Sequence, residues 1–318
     1  MSSPRHILEQ EEARLGHGPL PMREGVLPSY VWLPHGKWPS LLAFLTERFP
    51  AIDTDIWRER MRRGEVRSGG GQALGPDARY PSGEQLWYYR EVPAEPQLPF
   101  TETILYQDAH LLVADKPHFM AVSPVGRFLH QTLLVRLRKH TGLSSLVPIH
   151  RLDRETAGLV AFSVDPASRG RYQALFRNRE VEKRYEALAA PCPAVAFAQL
   201  RSTCIVPGER FFTMREAAGP PNAHTRIDVL QRGARIWKYG LQPLTGKTHQ
   251  LRLHMLGLGC PILNDLLYPV VQPVGAEDYE RPLQLLARSL SFTDPISGAH
   301  LHFESRLRLQ EVNQMPAV

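Results

Sequence analysis

Residues 149–160 read IHRLDRETAGLV, and the interpretation of the chain begins with this stretch. It places one carboxylate, Asp153, between the guanidinium groups of Arg151 and Arg154. The small residues Thr-Ala-Gly follow, which would let another segment approach closely, and the apolar run LVAF is typical of a buried strand. We therefore predict that Asp153 lies on a loop entering a strand, where scaffolds commonly present reactive groups.

Two interpretations of Asp153 are open from spacing alone. Flanking cations favour an ionised carboxylate even where it is partly buried, and such a group can act as a nucleophile or a base. The alternative is a structural Arg–Asp pair on a surface loop, because ion pairs also occur without catalysis.

Composition describes an ordinary globular protein. The chain has 318 residues, 43% of them hydrophobic and 22% charged, which fits one large or two modest domains. No apolar run reaches the roughly 18 residues that span a bilayer, and the first residues lack the apolar core of a signal peptide. The three cysteines form no CxxC pair. We therefore expect free thiols and a cytoplasmic location.

The chain carries a moderate positive charge, with 38 Lys and Arg against 32 Asp and Glu. This permits a polyanionic partner without requiring one. Arginines crowd residues 58–67 and 169–184, and the planar guanidinium suits phosphate because it donates two hydrogen bonds at once. The alternative for either cluster is a solvated helix face interleaved with glutamates.

The distribution of Pro, Gly and periodic segments predicts four parts. Residues 1–37 read as an irregular leader. Residues 38–92 contain two short helices, the first with Ser40 as its N-cap, and a small sheet, and residues 93–99 are a proline-punctuated linker. Residues 100–318 form the second, larger domain, in which residues 132–139 are predicted as an amphipathic helix that ends at Gly142. Within it, residues 191–236 read as loop-rich with short strands.

Two further motifs of the second domain carry candidate functional residues. Lys116, in the sequence DKP, contacts phosphate or simply caps a strand. Residues 181–189 are predicted as a strand, in which alternation puts Lys183, Tyr185 and Ala187 on one face. The alternative for Tyr185 is a half-buried sheet tyrosine whose hydroxyl has a structural partner.

The sequence TGKTHQLRLH at residues 245–254 predicts a glycine turn followed by a helix, with Thr248 at its start. His249 and His254 invite a zinc interpretation. Their i, i+5 spacing does not put both on one helical face, and no acid lies between them as in HExxH. We therefore expect no metal site here, and interpret both histidines as structural or RNA-contacting.

These motifs together resemble the RluA-type pseudouridine synthases. HRLDRETAGL is similar to that family's HRLDRxTSGL, and TGKTHQLRLH to its TGRTHQIRVH; DKP, K-x-Y-x-A and G-x-PI-x-GD-x-x-Y also have counterparts, in the same order. Three departures are visible. Ala157 replaces a serine and stays small, Lys247 replaces an arginine and loses its fork, and Asn264 replaces a glycine but tolerates the left-handed conformation.

The resemblance implies an α+β fold, with a large, mostly antiparallel mixed sheet and a central cleft. It implies isomerisation of uridine to pseudouridine in RNA, with neither metal nor organic cofactor. In this family the aspartate, here Asp153, is catalytic. Tyr185 would line the active site, and Arg252 would orient the carboxylate of Asp153.

Residues 38–92 also resemble, more distantly, an S4 RNA-binding domain, because two basic helices precede the turn RGEV at residues 63–66. We expect the protein to be a monomer that binds ribosomal or transfer RNA, with no membrane or metal partner. The sequence leaves the target uridine open. The predicted RNA-binding residues are Arg151, Arg154, Lys116, Lys247, His249, Arg58, Arg62 and Arg63.

Two rival functions remain at this point. A non-catalytic RNA-binding protein could share the fold, but it would not need Asp153, Tyr185 and Arg252 together. A metal-dependent hydrolase is disfavoured by the spacing of the histidines. Incubation of the protein with uridine-labelled RNA in EDTA separates these alternatives.

Overall fold

The structure is a computed structural model that describes residues 18–90, 92, 95–273, 275 and 278–310. The described residues divide into two compact units, which are those within residues 1–96 and 123–147, and those within residues 97–122 and 148–318. In chain order the elements are β1 Ser29–Trp32, α1 Leu41–Arg48, α2 Thr54–Arg62, β2 Val66–Ser68, β3 Gln85–Tyr88, β4 Thr103–Gln107, β5 Leu111–Lys116, α3 Leu133–Thr141, β6 Val147–Pro148, β7 Ala157–Ser163, α4 Pro166–Asn178, β8 Glu182–Ala189, β9 Gln199–Pro207, β10 Met214–Ala217, β11 Ala223–Arg232, β12 Trp237–Pro243, α5 Gln250–Gly257, β13 Leu285–Thr293 and β14 His300–Glu304.

The first unit packs α1 and α2 around a small core beside an antiparallel sheet of order β1-β3-β2. Ser40 caps α1 as its sequence predicts, accepting a hydrogen bond from the backbone N–H of Ala43 at 3.1 Å. Trp57, on α2, is fully buried in this core. The two helices and the small sheet match the predicted elements, and the resemblance to an S4 domain stays a prediction.

The segment 123–147 belongs to this first unit. It contains α3, which ends as predicted at Gly142, where φ is +73°. Val135 of α3 packs with Val26 and Leu129 in one small apolar cluster. The sequence analysis assigns this segment to the domain 100–318, whereas in the structure it groups with the first unit. The predicted domain boundaries stay a prediction.

The second unit is built on one mixed sheet whose main path runs β10-β9-β11-β12-β8-β13-β7-β5-β4, with β14 paired to β13. Among the described pairings on this path only β13 with β7 is parallel; every other pair is antiparallel. This confirms the predicted α+β class with a large, mostly antiparallel mixed sheet.

The start of β7 explains the small residues after Asp153. Gly158 pairs with Ala287 of β13 and has a φ of +109°. A Cβ at Gly158 would lie 2.3 Å from the carbonyl oxygen of Ala287. Only glycine therefore fits where the loop of Asp153 enters the sheet.

The interpretation of residues 191–236 as loop-rich is wrong. The structure has the nine-residue strand β9 and the ten-residue strand β11 there. The apolar alternation of β11 is broken because Thr225, an inward-facing residue, is polar and fully buried. The strand β1, inside the predicted irregular leader, was likewise missed because it is only four residues long; residues 1–17 of that leader lie outside the described residues.

Two smaller features concern the helix α5 and the membrane. Its N-cap is His249 and not Thr248, and His249 makes no capping hydrogen bond through its side chain. In the part of the chain that the structure describes, no helix has the length and apolar character needed to cross a bilayer.

Candidate active site

Asp153 lies on the loop before β7, with 27% of its side chain exposed. Its Oδ2 is 3.5 Å from Nη1 of Arg252 and 4.0 Å from Nε2 of His249. The side chains of Arg252 and His249 are only 1% and 10% exposed. The carboxylate is therefore the most accessible of the three groups, and the other two lie behind it.

Arg252 makes its strongest contacts with a residue that the sequence interpretation did not pair with it. Its Nε and Nη2 donate to the two carboxylate oxygens of Asp265 at 2.7 and 2.5 Å, whereas the predicted partner, Asp153, receives only the longer Nη1 contact. Burial by itself would lower the pKa of Arg252, but Asp265, Asp153 and Glu155 together raise it. Arg252 is thus a permanent cation shared among three carboxylates.

His249 begins α5 in the left-handed conformation, with a φ of +55°. Its Nδ1 lies 2.7 Å from the hydroxyl of Tyr268, so its Nε2 is the ring nitrogen that faces Asp153. Burial lowers the pKa of His249, and the charge of Asp153 opposes that effect. A side chain held in this way points into the site, and the prediction that it contacts RNA stays a prediction.

The other polar residues of α5 hold the helix against the sheet. Gln250 donates to Thr225 Oγ1 at 2.9 Å. His254, which is fully buried, lies 2.9 Å from the hydroxyls of both Thr225 and Thr203. Burial lowers the pKa of His254 to about 4, so a neutral imidazole bridges the two threonines. Among the described residues no group of three or more His, Cys, Asp or Glu is arranged to hold a metal.

Tyr185 lies on β8, where it pairs with Leu241 of β12 and Ala287 of β13. Burial, and then the negative charge of Asp153, raise the pKa of the Tyr185 hydroxyl. The hydroxyl therefore stays protonated at neutral pH, and it lies near enough to Asp153 to be affected by the charge of that carboxylate. The structure thus brings together the three predicted catalytic residues.

Lys116 does not lie where an RNA phosphate could reach it. It is fully buried, and its Nζ donates to the carbonyl oxygens of Pro117, Met120 and Arg154 at 3.0, 2.8 and 3.1 Å. Burial lowers its pKa to about 7, opposed by the nearby carboxylates. An ammonium has three N–H groups, so all of its donors are used. Its prediction as an RNA contact is not supported; it ties the end of β5 to the loop carrying Asp153.

The remaining predicted RNA contacts of this unit differ in accessibility. Arg154 has a 14% exposed side chain and pairs with Glu155 at 3.1 Å. Arg151 and Lys247 are exposed, and among the described residues neither side chain has an acidic or hydrogen-bonding partner. These two cations are available to a phosphate.

The predicted RNA-binding arginines of the first unit each contact an acid of that unit. The pairs of Arg58 and Arg62 are exposed, contribute little to stability and can exchange for other anions, whereas Glu65, the partner of Arg63, is only 12% exposed. The prediction for all three arginines stays open. The pairs are Arg58 with Asp55, Arg62 with Glu59 at 3.6 Å, and Arg63 with Glu65 at 2.9 Å.

Sequence reasoning missed two residues that belong in this description. Asp265 had a signal, because it is the acid of the motif G-x-PI-x-ND-x-x-Y. Phe211 lies in the turn between β9 and β10 and is 98% exposed. The sequence signal for it is the pair of adjacent phenylalanines at 211 and 212, and in the structure the two rings pack edge to face. An aromatic ring so exposed is a natural surface for base stacking.

Comparison with known proteins identifies the family of the chain. A family model described as RNA pseudouridylate synthase matches residues 110–256. The dual-specificity RNA pseudouridine synthase RluA of Escherichia coli (strain K12) is 33% identical over 216 residues, which are 67% of this chain and 94% of that protein. The solved structure of human RNA Pseudouridylate Synthase Domain Containing 1 is 26% identical, covers 70% of this chain and 95% of its own, and has a TM-score of 0.54.

A second solved structure, human RNA Pseudouridylate Synthase Domain Containing 4, is 29% identical, covers 64% of this chain and 88% of its own, and has a TM-score of 0.50. The chain belongs to the RNA pseudouridylate synthase family. Within it the chain is of the RluA type, and it is therefore an isomerase that acts on RNA.

Proposed function

We propose that the protein isomerises specific uridines of ribosomal or transfer RNA to pseudouridine, with Asp153 as the catalytic carboxylate. In this reaction the bond between C1′ and N1 breaks, a bond between C1′ and C5 forms, and the proton on C5 is lost while N1 gains one. The carboxylate would add to the base or to the sugar while the base turns. We expect the reaction to take place in the cytoplasm.

The observation that carries this proposal is the relative accessibility of the groups at the site. Asp153 is 27% exposed, whereas Arg252, its cationic neighbour, is 1% exposed. A substrate approaching from solvent would meet the carboxylate first, backed by a fixed positive charge. Tyr185 would contact the uracil with a neutral ring and a protonated hydroxyl. The target base would be flipped out, because its reacting edge is otherwise inaccessible.

The RNA would be held by exposed side chains of the described residues. Arg151, on the same loop as Asp153, and Lys247, ahead of α5, supply cations for phosphates. Phe211 supplies an exposed ring on which an unpaired base can stack. We propose these three as contacts, in addition to the arginines of the first unit.

Tritium release tests the reaction directly. RNA transcribed with uridine labelled by tritium at C5 loses the label to water only when C5 is substituted. We expect release by the full-length protein in EDTA, and none above background by Asp153→Asn, because an amide cannot act as the nucleophile. RNA affinity should change less than about threefold. Asp228→Asn, which alters an exposed carboxylate of β11, is the matched control and should retain full release.

The outcomes separate the rival functions. Tight RNA binding without release by the unmodified protein would support a non-catalytic RNA-binding protein. Turnover by Asp153→Asn near the unmodified rate would remove Asp153 from the mechanism. Mapping pseudouridines in cells with and without the gene would identify the RNA and the position.

A further inference from the structure

The turn at residues 264–268 has a fixed internal geometry. Asn264 adopts the left-handed conformation, with a φ of +61°. Asp265, whose side chain is 1% exposed, accepts hydrogen bonds from the backbone N–H groups of Leu267 and Tyr268 at 2.8 and 3.0 Å. This arrangement, an Asx turn, sets the orientation of the carboxylate from its own backbone.

The same turn holds the two groups that lie behind Asp153. Asp265 binds Arg252 through Nε and Nη2, as described above. The Tyr268 hydroxyl contacts His249 and is itself held by the backbone N–H and carbonyl of Met214, at 2.8 and 3.1 Å. The ring of Tyr268 also lies 5.3 Å from the guanidinium carbon of Arg252.

Both held groups approach the same oxygen of Asp153. Nη1 of Arg252 and Nε2 of His249 lie near Oδ2, and Oδ1 accepts no hydrogen bond from the described residues. Because Asp265 occupies two donors of Arg252, the guanidinium cannot form a bidentate pair with Asp153 through that edge. A bidentate pair would engage both oxygens and make the carboxylate a weaker nucleophile.

We propose that Asp265 and Tyr268 are positioning residues, which hold Arg252 and His249 against one oxygen of Asp153 and leave the other oxygen open to the uridine. This rests on the proposed function of Asp153. The bland alternative is that the turn only stabilises the fold.

Kinetics of Asp265→Asn in the full-length protein test the first half of the proposal. We expect the turnover rate at saturating RNA to fall about 100-fold, the size of effect that misplacement of a reacting group produces, while the RNA dissociation constant stays within about threefold. Tyr268→Phe keeps the ring beside Arg252 and removes the hydroxyl that contacts His249 and the backbone of Met214. A smaller loss of turnover, about tenfold, is expected for it because Arg252 stays bound to Asp265.

The chain offers a matched control in Asp294. It is also a buried aspartate in an Asx turn, accepting from the backbone N–H groups of Ile296 and Ser297 and from the hydroxyl of Tyr172. Its hydrogen-bond partners among the described residues, Tyr172, Ile296 and Ser297, lie outside the candidate site. Asp294→Asn should destabilise the fold to a similar degree and leave turnover at saturating RNA unchanged.

The pH profile distinguishes positioning from stability. In Asp265→Asn the released Arg252 is free to pair fully with Asp153, which favours the ionised carboxylate. The acidic limb of kcat/KM should therefore move to lower pH, whereas loss of stability alone would not move it.

Three results have clear meanings. Turnover of Asp265→Asn within about threefold of the unmodified protein, with an unchanged acidic limb, would overturn the role of Asp265. Unchanged turnover of Tyr268→Phe would overturn the role of Tyr268. If the unmodified protein releases no tritium, or Asp153→Asn retains release, the proposed function itself fails, which is a separate result.

Discussion

Gly158 and Ala287 face each other across the parallel pair of β7 and β13, so closely that a Cβ on Gly158 would lie 2.3 Å from the carbonyl oxygen of Ala287. The contact lies five residues after Asp153. It couples the loop of Asp153 to the centre of the sheet, because β13 also pairs with β8, the strand of Tyr185. A change at this contact therefore tests how rigidly the site is supported.

Gly158→Ala should lower the free energy of unfolding by at least about 2 kcal/mol, because the methyl group meets backbone that cannot move aside and the positive φ is strained for alanine. Urea denaturation measures the loss. Gly170→Ala is the matched control: Gly170 lies in α4, and a Cβ there meets nothing within 4 Å. It should stabilise the protein by about 0.5–1 kcal/mol; equal effects of the two changes would contradict the steric argument.

Because His254 is buried, we expect the free energy of unfolding to fall in mild acid. Its pKa is lowered from an ordinary 6.5 to about 4 by burial and nearby cations, so between these pH values the unfolded chain binds a proton that the folded chain does not. Stability is then fully present above about pH 6.5 and falls toward pH 4. The change attributable to this fully buried residue is on the order of 3 kcal/mol.

Urea denaturation at several pH values checks the contribution of His254. His254→Gln keeps hydrogen-bonding atoms near Thr203 and Thr225 but cannot titrate, so its stability should depend less on pH between 4 and 6.5. His302→Gln, which changes an exposed histidine, should retain the slope of the unmodified protein. An unaltered slope in His254→Gln would show that this residue does not produce the pH dependence.

We expect Lys247 to contribute to the salt dependence of RNA affinity. If its exposed ammonium neutralises one phosphate, Lys247→Ala should reduce the slope of log affinity against log salt by about 0.7–0.9, with turnover at saturating RNA unchanged. Lys247→Arg keeps the charge and restores a fork, so it should keep the slope. Binding isotherms at four salt concentrations decide this, and a full slope in Lys247→Ala would remove Lys247 from the RNA contacts.

We expect Phe211 to contribute to RNA affinity in a way that does not depend on salt. Phe211→Ala should weaken RNA binding by about 1–3 kcal/mol, the range measured for stacking of one base on an aromatic ring, and the salt slope should stay the same. Phe211→Trp should retain the affinity. Because Phe211 is 98% exposed, neither change should alter the melting temperature. Unchanged affinity in Phe211→Ala would exclude stacking at this position.

Much of the local structure followed from the sequence because it depends on neighbouring residues. The loop of Asp153 before a buried strand, the cap at Ser40, the end of α3 at Gly142 and the left-handed turn at Asn264 were all predicted and are confirmed. Strands β9 and β11 could not be predicted in the same way. The inward-facing Thr225 is polar because its hydroxyl makes hydrogen bonds with Gln250 and His254 of α5. This polar residue interrupts the alternation of apolar and polar residues by which a strand is predicted.

The sequence by itself determined the family, because five motifs recur in order, and it determined which acid and arginine to consider. Only the tertiary structure decided how Arg252 divides its donors, since Asp153 is 99 positions away from it and Asp265 is 13 positions away. It also decided that Lys116 is interior and that the side chain of Lys247 is exposed, with no partner among the described residues. The periodicity and spacing of residues in the sequence predict local geometry. The pairing of buried charges depends instead on which distant segments the sheet brings together, because a buried charge needs a partner of opposite charge nearby.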